Sequence, residues 1–309
     1  MTRILAVDGG QSTTRLLHSE ASQSVEVEGV GRLEGDLVTT TANAVIDGWR
    51  AGGSPRVDRL VMGLTTAPPD TELAEAICRL VGETVNATEV WLSDDSVIAH
   101  YGALSGQSGV ALAAGTGIAC LALPPQGQPR LFDGNGTLLG CLGSAFWIGQ
   151  AALQKVLRRK DGIGQPTQLE TAAEKRYGPI PELRENVLAE RRPVNAMAQF
   201  ARDVLEVAAG GDEVAGAIID LAAGELGATA QAAAGWVGEE VVHVAVGGSL
   251  LAPGTILRVR FEEVMENSAR KVLVRTADAP GLVGALQLGL DNSAGLYRDL
   301  VHRWYNPAG

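Results

Sequence analysis

Ile4-Leu5-Ala6-Val7-Asp8-Gly9-Gly10-Gln11-Ser12-Thr13-Thr14-Arg15-Leu16-Leu17-His18 is an apolar run, a carboxylate, two glycines and a returning apolar segment. The pattern predicts a strand, a glycine turn and an antiparallel strand, and the alternation from Ser24 to Glu28 adds a third. Asp-Gly between two strands is an ordinary hairpin signal. It also has a second reading. Paired glycines let a backbone approach a ligand closely. The hydroxyls and exposed N–H groups beyond them, from Gly9, Gly10, Gln11, Ser12, Thr13 and Thr14, can then hold phosphate oxygens. Asp8 would in that case sit near Mg²⁺, directly or through water, because that ion takes oxygen ligands and keeps part of its hydration shell.

Downstream of this stretch, residues 39–51 read as a helix leading to a strand over Arg59 to Gly63. A helix over Thr71 to Val81 places Leu73, Ile77 and Leu80 on one face. Glu89 to Ser93 reads as a strand and Asp95 to Leu104 as the helix behind it. Three early strands followed by strand and helix in alternation fit a mixed sheet with helical crossovers. The pattern then restarts. Gly109 to Ala114 is an apolar strand ending at Gly115-Thr116-Gly117, and Ile118 to Leu123 returns from that turn. Helical sequence dominates from Gln150 to Trp236. Val241 to Val246 is a late strand, Leu257 to Phe261 a helix segment, Val272 to Arg275 a strand, Pro280 to Leu290 a small-residue helix and 293–304 a closing helix. The repeat of strand, glycine turn and strand predicts an α/β chain of two related lobes. Residues 1–105, joined by the helix at 293–304, form the first and residues 106–292 the second.

The chain has 309 residues, enough for two cores. It is 46% hydrophobic and only 4% aromatic, so the cores are aliphatic and alanine-rich. A net charge of -11 argues against nucleic acid, whose phosphates call for clustered Lys and Arg. It does not exclude a phosphorylated small molecule, which backbone amides and a metal ion can hold. Cys78, Cys120 and Cys141 are scattered, with no spacing that suits zinc. No apolar run has membrane length, and the expectation is a soluble, cytoplasmic protein.

Three further motifs bear on chemistry. Ala113-Ala114-Gly115-Thr116-Gly117 repeats the first setting, as a second phosphate-facing turn or as a structural turn. Ser93-Asp94-Asp95 joins a strand to a helix. A carboxylate there caps a helix or serves as general base for a substrate hydroxyl, and two adjacent acids exceed what one cap needs. Val244-Ala245-Val246-Gly247-Gly248-Ser249 is a buried strand followed by Gly-Gly. It suits approach to a flat adenine or ribose, or a tight strand-to-helix connection.

Taken in order, these motifs resemble the BadF/BadG-type ATPase and N-acetylglucosamine kinase family of the actin and sugar-kinase superfamily, over nearly the whole chain. Asp8 to Thr14 resembles its first phosphate motif, Ala113 to Gly117 its second, and Gly247-Gly248, with Ser249, its adenosine motif. Leu282-Val283-Gly284-Ala285-Leu286 is similar to the Gly-Ala helix that follows. Leu138 to Gly149 resembles a Leu-Gly-Asp-Glu-Gly-Ser-Gly-x-Trp-Ile-Gly segment near the sugar. The resemblance implies two ribonuclease-H-like lobes with an ATP cleft between them, ATP and Mg²⁺ as cofactors, and phosphorylation of a sugar or amino-sugar hydroxyl such as that of glucosamine or N-acetylglucosamine. The family's catalytic aspartate lies seven residues before a Gly-Ala pair, which on Gly102 falls at Asp95. Arg32, Thr65, Asp95, Gly117, Ile118, Cys141 and Ser144 then fall at acceptor positions. Homodimers are common in the family, although nothing in this sequence signals one.

The departures from the family pattern cluster where the acceptor is recognised. Cys141-Leu142 stands in place of an acidic pair, and Ile118-Ala119 follows Gly117 where Ser or Asn is usual. Gly29-Val30-Gly31-Arg32 replaces a Gly-x-Gly-Asn pattern, and Arg32 would suit an acceptor carrying a carboxylate or phosphate. A site built to read a hydroxyl loses ~10⁴-fold selectivity or more when its buried polar partner goes. Two other functions compete with a kinase: an ATPase that activates a partner enzyme, and a degenerate nucleotide-binding regulatory protein.

Overall fold

The computed structural model describes residues 2–30 and 36–307. In chain order it contains β1 (Ile4–Gly9), β2 (Thr13–His18), β3 (Val25–Glu28), α1 (Leu37–Ala51), β4 (Arg59–Leu64), α2 (Thr71–Val85), β5 (Glu89–Asp94) and α3 (Asp95–Leu104). There follow β6 (Gly109–Ala114), β7 (Ile118–Leu123), β8 (Arg130–Phe132), α4 (Ala145–Lys160), α5 (Leu169–Tyr177), α6 (Leu183–Ala189), α7 (Pro193–Ala209) and α8 (Glu213–Val237). The remainder is β9 (Val241–Gly247), α9 (Ile256–Glu266), β10 (Lys271–Thr276), α10 (Gly281–Leu290) and β11 (Val301–Tyr305). Packing divides the chain into two compact units. The first is Met1–Ala111 with Leu121–Leu131 and Ala277–Gly309, and the second is Leu112–Cys120 with Phe132–Thr276. The first unit therefore takes back the chain from residue 277, ahead of the expected return at 293, and brings α10 with it.

The first unit is built on a six-stranded sheet in the order β11-β5-β4-β1-β2-β3. β1, β4 and β5 are parallel, while β2, β3 and β11 run antiparallel to their neighbours. Alternate residues of β1 serve opposite faces, as the two-residue period of a strand requires. Leu5 and Val7 enter the core under α1 and α2, whereas Ile4 and Ala6 enter the core with Val97, Ile98, Leu282 and Leu288 of α3 and α10. Helices on both faces explain why the strand reads as an unbroken apolar run. Helices α3 and α10 meet at glycine. A methyl at Gly284 would lie 2.1 Å from the Ile98 carbonyl oxygen, and one at Gly102 would lie 2.8 Å from that of Pro280. The back half of α3 is pinned as well. His100 Nδ1 is hydrogen-bonded to the Tyr297 hydroxyl at 2.8 Å, and the Tyr101 hydroxyl donates to Asp291 at 2.7 Å.

Two sequence expectations are corrected here. Residues 293–304 are not a helix, for a short 3₁₀ turn at Ala294–Tyr297 leads into β11, which pairs antiparallel with β5. Val-His-Arg-Trp-Tyr is β-branched and aromatic, a composition suited to a pleated edge strand, with Trp304 turned into the core. In α2 the buried face is Ala74, Ile77, Cys78, Val81 and Val85, whereas Leu73 and Leu80 are 42% and 38% exposed. Small residues permit the closer approach to the sheet, so they and not the leucines choose the face.

The second unit holds most of a five-stranded sheet, ordered β10-β9-β6-β7-β8, with β9 and β10 parallel. Leu112, Cys120, Val242, Val244 and Val246 fill its interior. Five helices, α4 to α8, lie between β8 and β9 in sequence, and α8 is 25 residues long. Among the described residues no helix is long and apolar enough to cross a membrane.

Candidate active site

In the first unit the register places Asp8 beside Gly63, and Gly63 beside Ser93, so the carboxyl ends of three adjacent parallel strands form one edge. In open α/β sheets that edge is where ligands bind. Asp8, Thr65, Asp94 and Asp95 all project from it. The first glycine turn is closed by Gly10 N–H donating to the Thr13 carbonyl at 3.0 Å. It is backed by Gly29 and Val30, which the sequence marks only as part of an altered acceptor loop. Gly29 N–H donates to the Ser12 carbonyl at 3.2 Å, and Val30 N–H to that of Gly10 at 3.2 Å. A methyl at Gly29 would lie 2.3 Å from the Gly10 carbonyl oxygen, so only glycine lets this segment support the turn. Gln11, Ser12 and Thr13 keep accessible surface, but Thr14 is buried and lines a small cavity with Thr41 and Val45. Its predicted place among the phosphate ligands is not where the structure puts its side chain.

The adjacent acids divide their labour. Asp94 caps α3, its Oδ1 accepting from Ser96 N–H at 3.0 Å and from the Ser96 hydroxyl at 2.5 Å. Asp95 is thereby released from the cap, and the Thr65 hydroxyl donates to its Oδ2 at 2.5 Å. Protein surrounds Asp95 on most sides although part of its surface stays open. This burial pushes its carboxyl up to about 7; the charges of Asp94 and then Asp8 push the same way, and the Thr65 hydroxyl opposes them. Burial also raises Asp8, against a smaller pull from Arg15. Asp8 and Asp95 therefore resist ionising together. A divalent cation beside Asp8 would relieve both, and the donor set suits magnesium. Among the described residues no three His, Cys, Asp or Glu side chains converge on one point, so most ligands of such an ion would be water and phosphate.

In the second unit β6 ends in the turn Gly115-Thr116-Gly117, with Gly115 N–H donating to the Gly117 carbonyl at 2.9 Å. The start of α4 is tied directly to it. Ala145 N–H donates to the Gly115 carbonyl at 2.9 Å and Phe146 N–H to that of Thr116 at 3.3 Å. Gly248, at the end of β9, has φ of 89° and lies so close that a methyl would stand 2.2 Å from the Ala114 carbonyl oxygen. Gly248 and Ser249 are exposed beside the turn. The two glycine motifs predicted far apart in sequence thus meet in one unit.

The predicted acceptor residues fare unevenly. Thr65 stands beside Asp95, its hydroxyl donating to the carboxylate. Ser144 does not face a ligand, for it is fully buried, and its hydroxyl accepts from Trp147 N–H at 3.2 Å as the N-cap of α4. Ile118 and Cys141 are 7% and 4% exposed and belong to the interior beneath the turn. Cys141 adopts φ of 58°, its N–H donates to Asp133 Oδ1 at 2.9 Å, and its Sγ would lie 3.2 Å from a methyl at Gly117. Arg32 lies outside the described residues. Asp133 had no signal of its own, because its role comes from loop geometry.

A parallel-strand edge carrying a half-buried carboxylate and a backed glycine turn, with a second unit repeating the turn, describes an α/β protein with the elements a phosphate site needs. The sequence matches the BadF/BadG/BcrA/BcrD ATPase family over residues 7–289, and the chain belongs to that family. It is 26% identical over 220 residues to the N-acetyl-D-glucosamine kinase of Dictyostelium discoideum, covering 68% of this chain and 67% of that protein. In fold it is similar to a candidate N-acetylglucosamine kinase from Porphyromonas gingivalis (TM-score 0.73, 14% identity, 95% and 99% of the two chains). A second such candidate, from Chromobacterium violaceum, has TM-score 0.70 and 23% identity over 93% and 99% of the two chains.

Proposed function

We propose that this chain is an ATP-dependent kinase that phosphorylates a hydroxyl of a sugar or amino sugar, a small molecule met in the cytoplasm. The observation that carries the reading is Asp95, an aspartate at a strand-to-helix junction, excused from capping by Asp94 and raised close to neutrality. A general base works best when its pKa lies near the operating pH. The kinship with an N-acetyl-D-glucosamine kinase supports the same reaction class.

In this reading Asp95 takes the proton from the acceptor hydroxyl as its oxygen attacks the terminal phosphorus of ATP. Thr65 orients the carboxylate. The first glycine turn and the Gly115–Gly117 turn each offer backbone N–H groups suited to phosphate oxygens, and Gly247, Gly248 and Ser249 offer an open backbone edge suited to a nucleoside. Asp8 would hold Mg²⁺, which supplies charge neutralisation at the phosphates. Little covalent chemistry is left to the protein, so positioning and electrostatics carry the rate.

The test is ADP release from ATP against a panel of sugars, amino sugars and sugar acids, with Asp95→Asn alongside. Acceptor-dependent release that falls at least ~10²-fold in the variant is the expected result. Acceptor-independent turnover that Asp95→Asn leaves intact would sink the kinase and favour an ATPase that works on a partner.

A further inference from the structure

The sequence places Thr14 among the phosphate ligands, yet its side chain is buried, and what it faces has a chemistry of its own. A cavity of about 10 Å³ lies within the first unit, at the ends of β1 and β2 where Gly9 and Thr14 pair across the first glycine turn. The polar part of its wall is three threonines from three elements: Thr14 of β2, Thr41 of α1 and Thr66 just past β4. All three are buried. Thr41 Oγ1 is shut off from solvent and has no hydrogen-bond partner among the described residues. A helical threonine can usually bond its hydroxyl to the carbonyl one turn back. Thr41 does not do so. A hydroxyl buried in this way is costly unless something else completes it. The volume suits one water molecule, which needs about two to four polar partners, and three hydroxyls meet that need.

Thr66 connects the cavity to the candidate base. It stands in a turn closed by Ala67 N–H donating to the Leu64 carbonyl at 3.0 Å, and Thr65 N–H donates to the Gly9 carbonyl at 2.9 Å. The two threonines of this turn have different duties. Thr65 gives its hydroxyl to Asp95, whereas Thr66 lines the cavity. Holding Thr66 therefore fixes the backbone from which Thr65 reaches Asp95. We propose that the cavity is a binding site for one water molecule, which bridges Thr14, Thr41 and Thr66 and makes Thr41 and Thr66 positioning residues for Thr65 and the first glycine turn. The water site stands without the kinase reading, and only its effect on phosphotransfer rests on that reading.

The experiment compares the full chain with Thr41→Val and Thr41→Ser. A crystal structure of the parent should show an ordered water within hydrogen-bond distance of Thr41 Oγ1 and of the Thr14 or Thr66 hydroxyl. A cavity without one, in density that shows other buried waters, overturns the site. Valine is close to threonine in shape and helix propensity, so its effect on stability reports the hydroxyl. Thr41→Val should unfold at a lower urea midpoint, its unfolding constant raised about fivefold by the loss of one buried hydrogen bond. A higher midpoint would mean a hydroxyl that had no partner, and would refute the water. Amide hydrogen exchange separates positioning from general loosening. The Thr65 and Ala67 amides should exchange faster in Thr41→Val by more than the core amides of β1 and β4 do, and Thr41→Ser should restore them. Acceleration that is uniform, or absent at the turn, overturns the positioning role. With a phosphorylated acceptor in hand, kcat should fall about tenfold in Thr41→Val, short of the ~10²-fold that a 1 Å misplacement costs, and recover in Thr41→Ser. An unchanged kcat breaks the link to Asp95. If no acceptor is phosphorylated the kinase reading fails, while the crystal, urea and exchange results still decide the water and the turn.

Discussion

Asp95→Asn is expected to abolish phosphotransfer and to stabilise the fold, and the pH dependence of that gain tests the account of the site. The Asp95 carboxyl is pushed from 3.8 to about 7, chiefly by burial and then by the charge of Asp94. A carboxyl raised in the folded state binds its proton more tightly there than in the unfolded chain. Its ionisation therefore opposes folding. The penalty is absent below pH 3.8, grows through the window up to about 7 and is complete above it. About three pH units at ~1.4 kcal/mol each set an upper bound of about 4 kcal/mol. Two effects reduce it. The carboxyl keeps some contact with solvent, and the Thr65 hydrogen bond to a charged oxygen becomes a weaker one to an amide, a loss of about 1 kcal/mol. A net gain of about 2 kcal/mol at pH 8 remains, equivalent to roughly 4–8 °C in the melting temperature of a unit of this size.

The assay is thermal unfolding of both proteins at pH 4, 6 and 8 without nucleotide or divalent cation, paired with ADP release. The variant should melt with the parent at pH 4 and above it at pH 8. A variant that melts at or below the parent at pH 8 would refute the reasoning. So would a gap as wide at pH 4 as at pH 8, because the gain would then come from something other than the titration of Asp95.

Three other outcomes follow from the same geometry. The parent's kcat/KM should climb about tenfold per pH unit below about 7 and level off above it, as Asp95 loses its proton in the free enzyme; a flat profile from pH 5 to 8 removes Asp95 as the base. Gly248→Ala should lower stability by about 1–3 kcal/mol from its backbone conformation alone, with a further cost from the contact at the Ala114 carbonyl, read as a fall in the urea midpoint and in ATP affinity. Unchanged values for both would mean that β9 does not need to approach β6 so closely. Asp8→Asn should raise the Mg²⁺ concentration for half-maximal activity by about tenfold or more, as expected when one of few protein ligands loses its charge; an unaltered Mg²⁺ titration would remove Asp8 from the metal's surroundings.

The parts of this fold that were legible in the sequence are those that local physics determines. An apolar run ending in Asp8-Gly9-Gly10 marks a strand and a turn whatever surrounds it, and so do Gly115-Thr116-Gly117 and Gly247-Gly248. Two acids at a helix start exceed what a cap requires, which marks the Asp94-Asp95 pair; the choice of Asp95 comes from the family resemblance through its spacing to Gly102, and the structure shows Asp94 taking the cap. The misses came from tertiary choices. Leu73 and Leu80 are the larger side chains of α2, yet Ala74 and Cys78 face the sheet because they let the helix approach. Val301 to Tyr305 joins an edge beside β5, a pairing that no local pattern reveals. The family resemblance alone places Ser144 at an acceptor position, whereas its position at the start of α4 makes it the cap of that helix. The support that Gly29 lends to the first turn needs the distance to the Gly10 carbonyl, which no spacing encodes.

The glycine turns and the loop before α4 also differ in how freely their residues can change. Phosphates held by backbone N–H groups require turns that pass close to other backbone. At Gly29 and Gly248 any side chain would meet a carbonyl oxygen at 2.3 or 2.2 Å, so the fold itself forbids substitution there. The loop that leads into α4 is held differently. Cys141 is fixed through its own N–H and carbonyl, by Asp133 and by Ser144 N–H, and neither bond involves its side chain. The turn that presents Leu138 and Leu139 closes on the Gly136 carbonyl, again through backbone alone. Side chains on such a loop can be exchanged while its shape persists. The Cys141-Leu142 pair is a side-chain change of this kind.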